Sequence, residues 1–256
     1  MGCTSPLLAQ TPAPDPHDAQ PERPTVATHA GTVAPGWLEI EAGTEFDRYA
    51  DGSRGGSAPV LFKIGLASHV QLGVQTPLAW PPNAGGAGGG LAAGDVLTSL
   101  KWRLADRAPI LGRFAIEPAL KWPTGSSASG AGTGTTDLSL LVISSHSLGP
   151  VSMDLNAGWT RRSGDGAAAP RNATLWTASF GGPAAGPVGW AAEIYGYPAT
   201  AGPAGARSIV AVLAGPTLQV RDWLVLDTGV IAPLTGPQPR AIYAGLTWNV
   251  GRLWRP

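Results

Sequence analysis

The run Ser144-Ser145-His146-Ser147 places hydroxyl groups beside an imidazole, and these groups are the nucleophile and the base of many hydrolases. Successive side chains of a β-strand point to opposite faces, so in a strand His146 cannot act on the serine on either side of it. The chain also lacks the Gly-x-Ser-x-Gly turn that exposes a catalytic serine. We therefore predict that this protein is not an enzyme.

Residue types that bind metals, phosphates or nucleic acids are scattered. The single cysteine, Cys3, cannot form an intramolecular disulfide or a cysteine-based metal site. The run from Gly85 to Gly90 resembles a phosphate-binding loop in glycine content only, because no lysine follows it, and we predict a flexible external loop there. The 17 basic and 17 acidic residues balance, which argues against nucleic-acid binding. No paired spacing relates the histidines, so we expect no metal and no cofactor: His17, His29, His69 and His146.

Charged residues recur on one face of alternating segments, together with several tyrosines. All three lysines and five of the six glutamates lie on such faces. If the segments close into a barrel, opposed charges inside it either orient permeating solutes or close the bore as ion pairs. We predict that the following residues line this lumen: Glu39, Glu41, Glu45, Lys63, Lys101, Arg103, Glu117, Lys121, Asp154, Glu193, Tyr195 and Tyr243.

The elements that must position these residues are β-strands. The 36 glycines and 25 prolines exclude a helical bundle, and no segment is long and apolar enough for a transmembrane helix. Apolar residues instead repeat with period two, as where Leu38, Ile40 and Ala42 alternate with Glu39 and Glu41. We predict about twelve strands, beginning near residues 36, 58, 69, 95, 113, 135, 151, 173, 188, 206, 223 and 239.

Three further features favour an antiparallel transmembrane β-barrel over a soluble β-sandwich, which would show the same alternation. Charged residues make up only 13% of the chain. Long and short connections alternate along most of its length, as in outer-membrane barrels. Several tryptophans lie close to predicted strand ends, where interfacial aromatic residues are expected: Trp37, Trp80, Trp102, Trp122, Trp159, Trp223 and Trp254.

The two ends of the chain have different characters. Residues 1–35 are rich in Pro, Ala and Thr, and we predict a disordered leader there, with the barrel domain spanning residues 36–256. The opening from Ser5 to Gln10 is typical of the end of a signal peptide whose beginning is missing. The last strand ends in an aromatic residue, Trp254, which is the signal that the barrel-assembly machinery reads in outer-membrane proteins.

Several motifs resemble those of a known family. They are Gly94-Asp95-Val96 with Leu100-Lys101-Trp102-Arg103, the stretch Leu120-Lys121-Trp122-Pro123-Thr124-Gly125, residues 134–140, and residues 154–159. Together they resemble outer-membrane barrels of the transporter family of the meta-pathway of phenol degradation, over most of residues 36–254. The resemblance implies an outer-membrane channel for small aromatic or other hydrophobic compounds.

These observations predict a bacterial outer-membrane barrel that conducts small solutes passively, with outer-membrane lipid, a small-molecule permeant and the barrel-assembly machinery as its partners. A soluble or surface-attached β-sandwich that binds a ligand is the alternative. A third possibility is a closed barrel that serves as a structural or enzymatic anchor. The lumen charges allow either an open pore or a plugged one.

Overall fold

The computed structural model describes residues 15–80, 90–163, 171–198 and 208–255. No helix among these residues could cross a membrane. The strands, in chain order, are β1 (Trp37–Arg48), β2 (Arg54–Ala67), β3 (Val70–Trp80), β4 (Ala92–Ala93), β5 (Val96–Ala108), β6 (Gly112–Trp122), β7 (Asp137–Leu148), β8 (Val151–Arg162), β9 (Asn172–Ala185), β10 (Val188–Tyr197), β11 (Ile209–Arg221), β12 (Leu224–Thr235) and β13 (Arg240–Arg252).

The twelve long strands form one closed antiparallel barrel, and the short β4 adds to the edge of β3. Each long strand pairs with its neighbours in the chain, and β1 closes the ring by pairing with β13. The predicted barrel and its strand number are confirmed; the largest offset is at β2, predicted near residue 58 and beginning at Arg54. A two-layer sandwich is excluded because the sheet closes on itself.

The outer face of the barrel is apolar, as the period-two pattern predicts. Phe46 and Ile242, which are paired neighbours on β1 and β13, are 53% and 60% exposed. Trp102, Trp122 and Trp159 are also exposed on this face. Two of the predicted interfacial tryptophans differ, because Trp37 and Trp223 pack against the ring of His17 inside one end of the barrel.

Strands β11 and β12 differ from the pattern in which apolar side chains face outward and polar side chains face the lumen. Ile209, Ala211 and Leu213 are buried on the inward face of β11, although Val210 and Val212 face outward between them. Ile231 on β12 extends the same inward apolar cluster. Both faces of this part of the wall are therefore apolar.

Connections are short at one end of the barrel, which we call the turn end, and longer at the other, the loop end. The turn end includes the two-residue connections 149–150 and 186–187. Each begins with a glycine at positive φ, Gly149 at 67° and Gly186 at 55°, which is the conformation that tight hairpins need. The loop end includes residues 49–53 and 123–136, while residues 81–89, including most of the predicted external glycine loop, lie outside the described residues.

Residues 15–35, which we call the inner segment, enter the barrel from the turn end. The Ala19 amide donates to the Asp222 carbonyl at the turn end, and the segment returns there, where Pro35 forms a bridge with Gly65. Over residues 15–35 this ordered position differs from the disordered leader that we predicted for residues 1–35. The proposed signal-peptide remnant and Cys3 lie in residues 1–14, outside the described part of the chain.

Candidate functional site

The turn half of the lumen is built around two buried lysines. Alternation on β1 turns Glu39 and Glu41 inward, and the register places Lys63 of β2 directly opposite Glu39. The Lys63 Nζ atom lies 2.6 Å from Glu39 and 2.7 Å from Glu41, and its side chain is fully buried. A buried ammonium needs this compensation, because desolvation of an unpaired charge is costly.

The second lysine is held by the inner segment. Lys101 Nζ lies 2.5 Å from the Glu22 carboxylate, 2.7 Å from the Thr28 hydroxyl and 3.8 Å from Glu117. Glu22 also lies 3.7 Å from Lys63, so one carboxylate of the inner segment joins both lysines. The inner segment is therefore part of the charge balance of the wall.

A third ion pair lies beside this cluster. Arg23 lies 3.3 Å from Asp227 of β12. Its guanidinium covers Gly43 and Gly245, which are directly paired on β1 and β13, and a Cβ atom at either glycine would overlap it. The absence of side chains at these two glycines therefore provides the space that the arginine occupies.

The wall on the other side of the lumen holds the inner segment through hydrogen bonds to its backbone. The Glu193 carboxylate accepts from the amides of Val26 and Ala27, both at 2.7 Å. Asn156 accepts from the Thr28 amide at 2.8 Å and donates to the Thr28 carbonyl at 3.0 Å. Contacts on both walls mean that the inner segment crosses the lumen.

Wall side chains thus take the place of a neighbouring strand for the inner segment. Its amides at Gln20 and Glu22 donate to Glu39 and Glu41, each at 2.7 Å. Two more amides donate to wall side chains further along, those of Ala30 to Ser145 and Val33 to Gln71. Buried amides require such partners.

The loop half of the lumen holds a cavity lined by both apolar and polar side chains, the polar ones including Gln75, Ser99 and Glu117. This cavity of about 370 Å³ lies on the loop side of the inner segment, with Glu22, Val26 and Thr28 in its lining. Its wall includes the following inward-facing side chains from strands β2, β5, β7, β9 and β10: Leu61, Leu97, Leu141, Leu175 and Tyr197. Beside it the inward cluster of β10 to β13 includes Tyr195, Leu213, Ile231 and Tyr243.

At the turn end two open cavities flank the inner segment. One of about 910 Å³ lies against β5 to β8, and one of about 520 Å³ lies against β8 to β12. Both include Gln20, Pro21 and Ser152 in their lining. Gly181 and Gly189 line the second one.

The predicted lumen residues are divided between these regions. Those in the charged cluster or bonded to the inner segment are Glu39, Glu41, Lys63, Lys101, Glu117 and Glu193. Tyr195 and Tyr243 are buried in the apolar cluster of the loop half, and Glu45 lies on β1 opposite Tyr243. Asp154 accepts a hydrogen bond from Ser145 near the turn end. Their roles in permeation stay predictions.

Arg103 and Lys121 lie at opposite ends of the barrel and do not join the central cluster. Arg103 donates to the Ser68 carbonyl at the turn end and lies 3.2 Å from Asp106. Lys121 lies 2.6 Å from Asp137 at the loop end. The charged residues that the sequence presents as one inward set therefore include a central cluster and separate groups at the two ends.

Residues of the site that were missing from the predicted lumen set include Glu22, Arg23, Gln71, Asn156 and Asp227. The last three share the inward parity of their strands, which was an available signal. Glu22 and Arg23 lie in the segment that we predicted to be a disordered leader.

At the loop end, Asp95 holds a long connection against the barrel. Its carboxylate accepts from the amides of Gly125, at 3.0 Å, and Thr133, at 2.9 Å, and lies 3.6 Å from Lys121. Burial alone would raise the pKa of Asp95, but the hydrogen bonds from Thr133 and Gly125 and the charge of Lys121 outweigh it and hold the pKa below its usual range.

In the hydrolase-like run, His146 and the adjacent Ser145 point to opposite faces of β7, as predicted. Ser145 faces inward and bonds to the Ala30 amide. Ser144, two residues from His146, shares its face, with 2.9 Å between the Ser144 hydroxyl and His146 Nε2. That hydroxyl also lies 2.7 Å from the carbonyl of Leu111, to which it can donate.

The sequence matches no family model and no curated protein. Its fold is similar to solved outer-membrane barrels. The COG4313 outer membrane channel from Pseudomonas putida F1 aligns with a TM-score of 0.62 and 13% identity, covering 86% of this chain and 97% of that one. For the KdgM porin the values are 0.56 and 11%, covering 82% and 98%. The translocator domain of the autotransporter NalP from Neisseria meningitidis aligns at 0.52 and 10%, covering 83% and 88%.

A closed barrel with an apolar outer face satisfies all its backbone groups internally, which is what a strand-built membrane protein requires. The fold shared with the solved barrels agrees with this requirement. The chain is an outer-membrane-type β-barrel, and its place is the bacterial outer membrane.

Proposed function

We propose that this barrel is a passive outer-membrane channel for small, mainly apolar solutes, including aromatic compounds. The cavity in the loop half carries this proposal, because inward-facing leucines combined with a few polar groups are the lining typical of sites for small, mainly apolar molecules. Its volume of about 370 Å³ suits a single small molecule. Tyr195 and Tyr197, whose rings meet edge to face at 6.3 Å, add aromatic surface beside it.

The orientation of the barrel in the membrane follows from its two ends. Short connections of outer-membrane barrels face the periplasm and longer loops face outward. The apolar cavity then lies on the external side of the inner segment, and the open cavities of the turn end lie on the periplasmic side. A solute entering from outside meets the apolar cavity before the inner segment, which must shift for it to pass.

Two further observations support this function. The motifs around residues 94–103 and 120–125 resemble those of transporters of the phenol meta-pathway. The similar COG4313 and KdgM structures are described as an outer membrane channel and a porin. The last strand ends at Arg252 and not at Trp254 as predicted, but the aromatic residue two positions beyond it still supports recognition by the barrel-assembly machinery.

Solute entry into proteoliposomes with lipopolysaccharide in their outer leaflet tests the proposal. We expect the barrel to accelerate entry of a small uncharged aromatic alcohol more than entry of a monosaccharide. Unchanged rates for both solutes would reject a channel, and faster entry of the sugar would reject the apolar substrate class.

A matched pair of variants on β7 tests whether the aromatic alcohol passes through this cavity. Leu141 lines the cavity, whereas Val142, the next residue, faces outward. Leu141→Ser is expected to slow entry of the aromatic alcohol, and Val142→Ser is expected to leave it unchanged. Equal effects of the two variants would argue against passage through this cavity.

A further inference from the structure

Three arginines form a row across neighbouring strands at the loop end. Arg48 of β1 pairs directly with Arg54 of β2 on one side and with Arg240 of β13 on the other. Adjacent strands lie about 4.8 Å apart, so the outer two are roughly 10 Å from each other at the backbone. Like charges placed directly opposite each other are unfavourable, so this row calls for a counter-charge.

All three side chains are exposed and point outward. Each shares the parity of an outward apolar residue on its own strand: Phe46 for Arg48, Phe62 for Arg54, and Ile242 for Arg240. They therefore project from the outer wall, away from the lumen.

The protein supplies no counter-charge to this row within the described residues. Strands β2 and β13 contain no acidic residue, and the four carboxylates of β1 lie on its inward face. The nearby loop residue Asp51 accepts hydrogen bonds from the Ser53 amide and hydroxyl. No described carboxylate forms an ion pair with Arg48, Arg54 or Arg240.

The row lies just beyond the aromatic border of the apolar face. Phe46 and Trp80 meet with ring centroids 5.6 Å apart, across the position of Gly56. Arg48 and Arg54 are each two residues further toward the loop end than Phe46 and Gly56, about 6.6 Å along a strand. Aromatic residues mark the edge of the hydrocarbon, so the guanidinium groups lie at the level of the lipid headgroups.

We propose that Arg48, Arg54 and Arg240 bind the phosphoryl groups of a phosphorylated glycolipid in the outer leaflet. Guanidinium groups form paired hydrogen bonds with phosphate, and three in a row can bridge two phosphates on one headgroup. The acyl chains of such a lipid would lie along the apolar wall below the row, over Phe46 and Ile242, both of which are exposed there. The inference depends on the outer-membrane fold and is independent of the solute.

Native mass spectrometry of the full chain in detergent tests the proposal, with bis-phosphorylated lipid A and the same lipid lacking both phosphates as probes. The chain is expected to retain the phosphorylated lipid. The triple variant Arg48→Gln, Arg54→Gln, Arg240→Gln is expected to bind it at least about tenfold more weakly. A change in gel mobility on boiling confirms that each variant has folded.

The matched control removes the same charge at the turn end, through Arg221→Gln, Arg252→Gln and Arg255→Gln. This control is expected to retain the phosphorylated lipid as the unchanged protein does. Equal loss in both triple variants, or equal retention of the phosphate-free lipid, would overturn the proposal. Displacement of the lipid by inorganic phosphate alone at millimolar concentration would also overturn it, by identifying a free anion as the ligand.

Discussion

The two halves of the lumen use the same inward face of the same strands in opposite ways. In the turn half, Lys63 and Lys101 are fully buried among carboxylates and the inner segment. In the loop half, Leu97 and Leu141 border a cavity. The charges that suggest a water-filled pore in the sequence therefore hold a piece of the chain in place, and the free space beside the segment on the loop side is bordered by leucines and by polar side chains.

Electrostatics explains this division. Charges enclosed in a narrow barrel lose solvation, so they are stable only when they are paired. Four carboxylates, from Glu22, Glu39, Glu41 and Glu117, surround the two lysines, and one of the four belongs to the inner segment. Leucines have no such requirement, so the space beside them can stay open to a solute.

Removal of residues 15–33 is the strongest test of this contrast. Among the described residues no other element crosses the turn half, so we expect single-channel conductance in planar bilayers to rise several-fold without the inner segment. Removal of residues 126–131 from the connection at the loop end serves as the control, and it is expected to change conductance little. Equal conductance with and without the inner segment would show that the segment does not limit passage.

Replacing one lysine in each half compares their charges directly. Lys63→Met leaves Glu39 and Glu41 buried without their partner, and we expect a loss of about 3–5 kcal/mol in the free energy of unfolding. Lys121→Met removes a pair with Asp137 in which the lysine is partly exposed, and the expected loss is about 0–1 kcal/mol. Urea unfolding of the barrel in detergent measures both, and similar losses would remove the distinction between the halves.

The uncharged side chain of Asn156 is expected to hold the inner segment less strongly than the buried ion pairs do. Asn156→Leu removes both hydrogen bonds to the Thr28 backbone and leaves a buried amide and carbonyl unpaired, at about 1–3 kcal/mol. Hydrogen exchange at the Thr28 amide should accelerate accordingly. Asn172→Leu, at an exposed position at the loop end of β9, is the control, and unchanged exchange at Thr28 in both variants would contradict the assignment.

The barrel itself could be predicted from the sequence because a strand with lipid on one face and the lumen on the other has apolar and polar residues in alternation. The pattern locates β8 and β10 at their observed first residues, Val151 and Val188. It says less about β11, where Ile209 to Leu213 is an unbroken apolar run because both of its faces are apolar. Local alternation cannot say which side of such a strand is the inside.

The inner segment could not be predicted because its partners are distant and polar. Glu22 and Lys101 are 79 residues apart, and the Thr28 amide bonds to Asn156, 128 residues away. A segment whose amides bind wall side chains needs no apolar period, so its composition is the same as that of a disordered leader. The sequence therefore predicted the charged residues of the wall but not the inner segment that they bind.

The smallest expected effect concerns the loop end, where a single carboxylate holds a connection. Asp95→Asn weakens the hydrogen bonds to Gly125 and Thr133, and because Thr133 is exposed and Lys121 partly exposed we expect a loss of about 1 kcal/mol or less. The pKa of Asp95 is lowered in the folded protein by those bonds, which outweigh the effect of burial. Its contribution is therefore complete above the ordinary aspartate pKa of about 4 and is lost as the pH falls through the lowered value. Thermal unfolding of both proteins should differ at neutral pH and converge in strong acid, while a difference that grows with acidity would contradict this account.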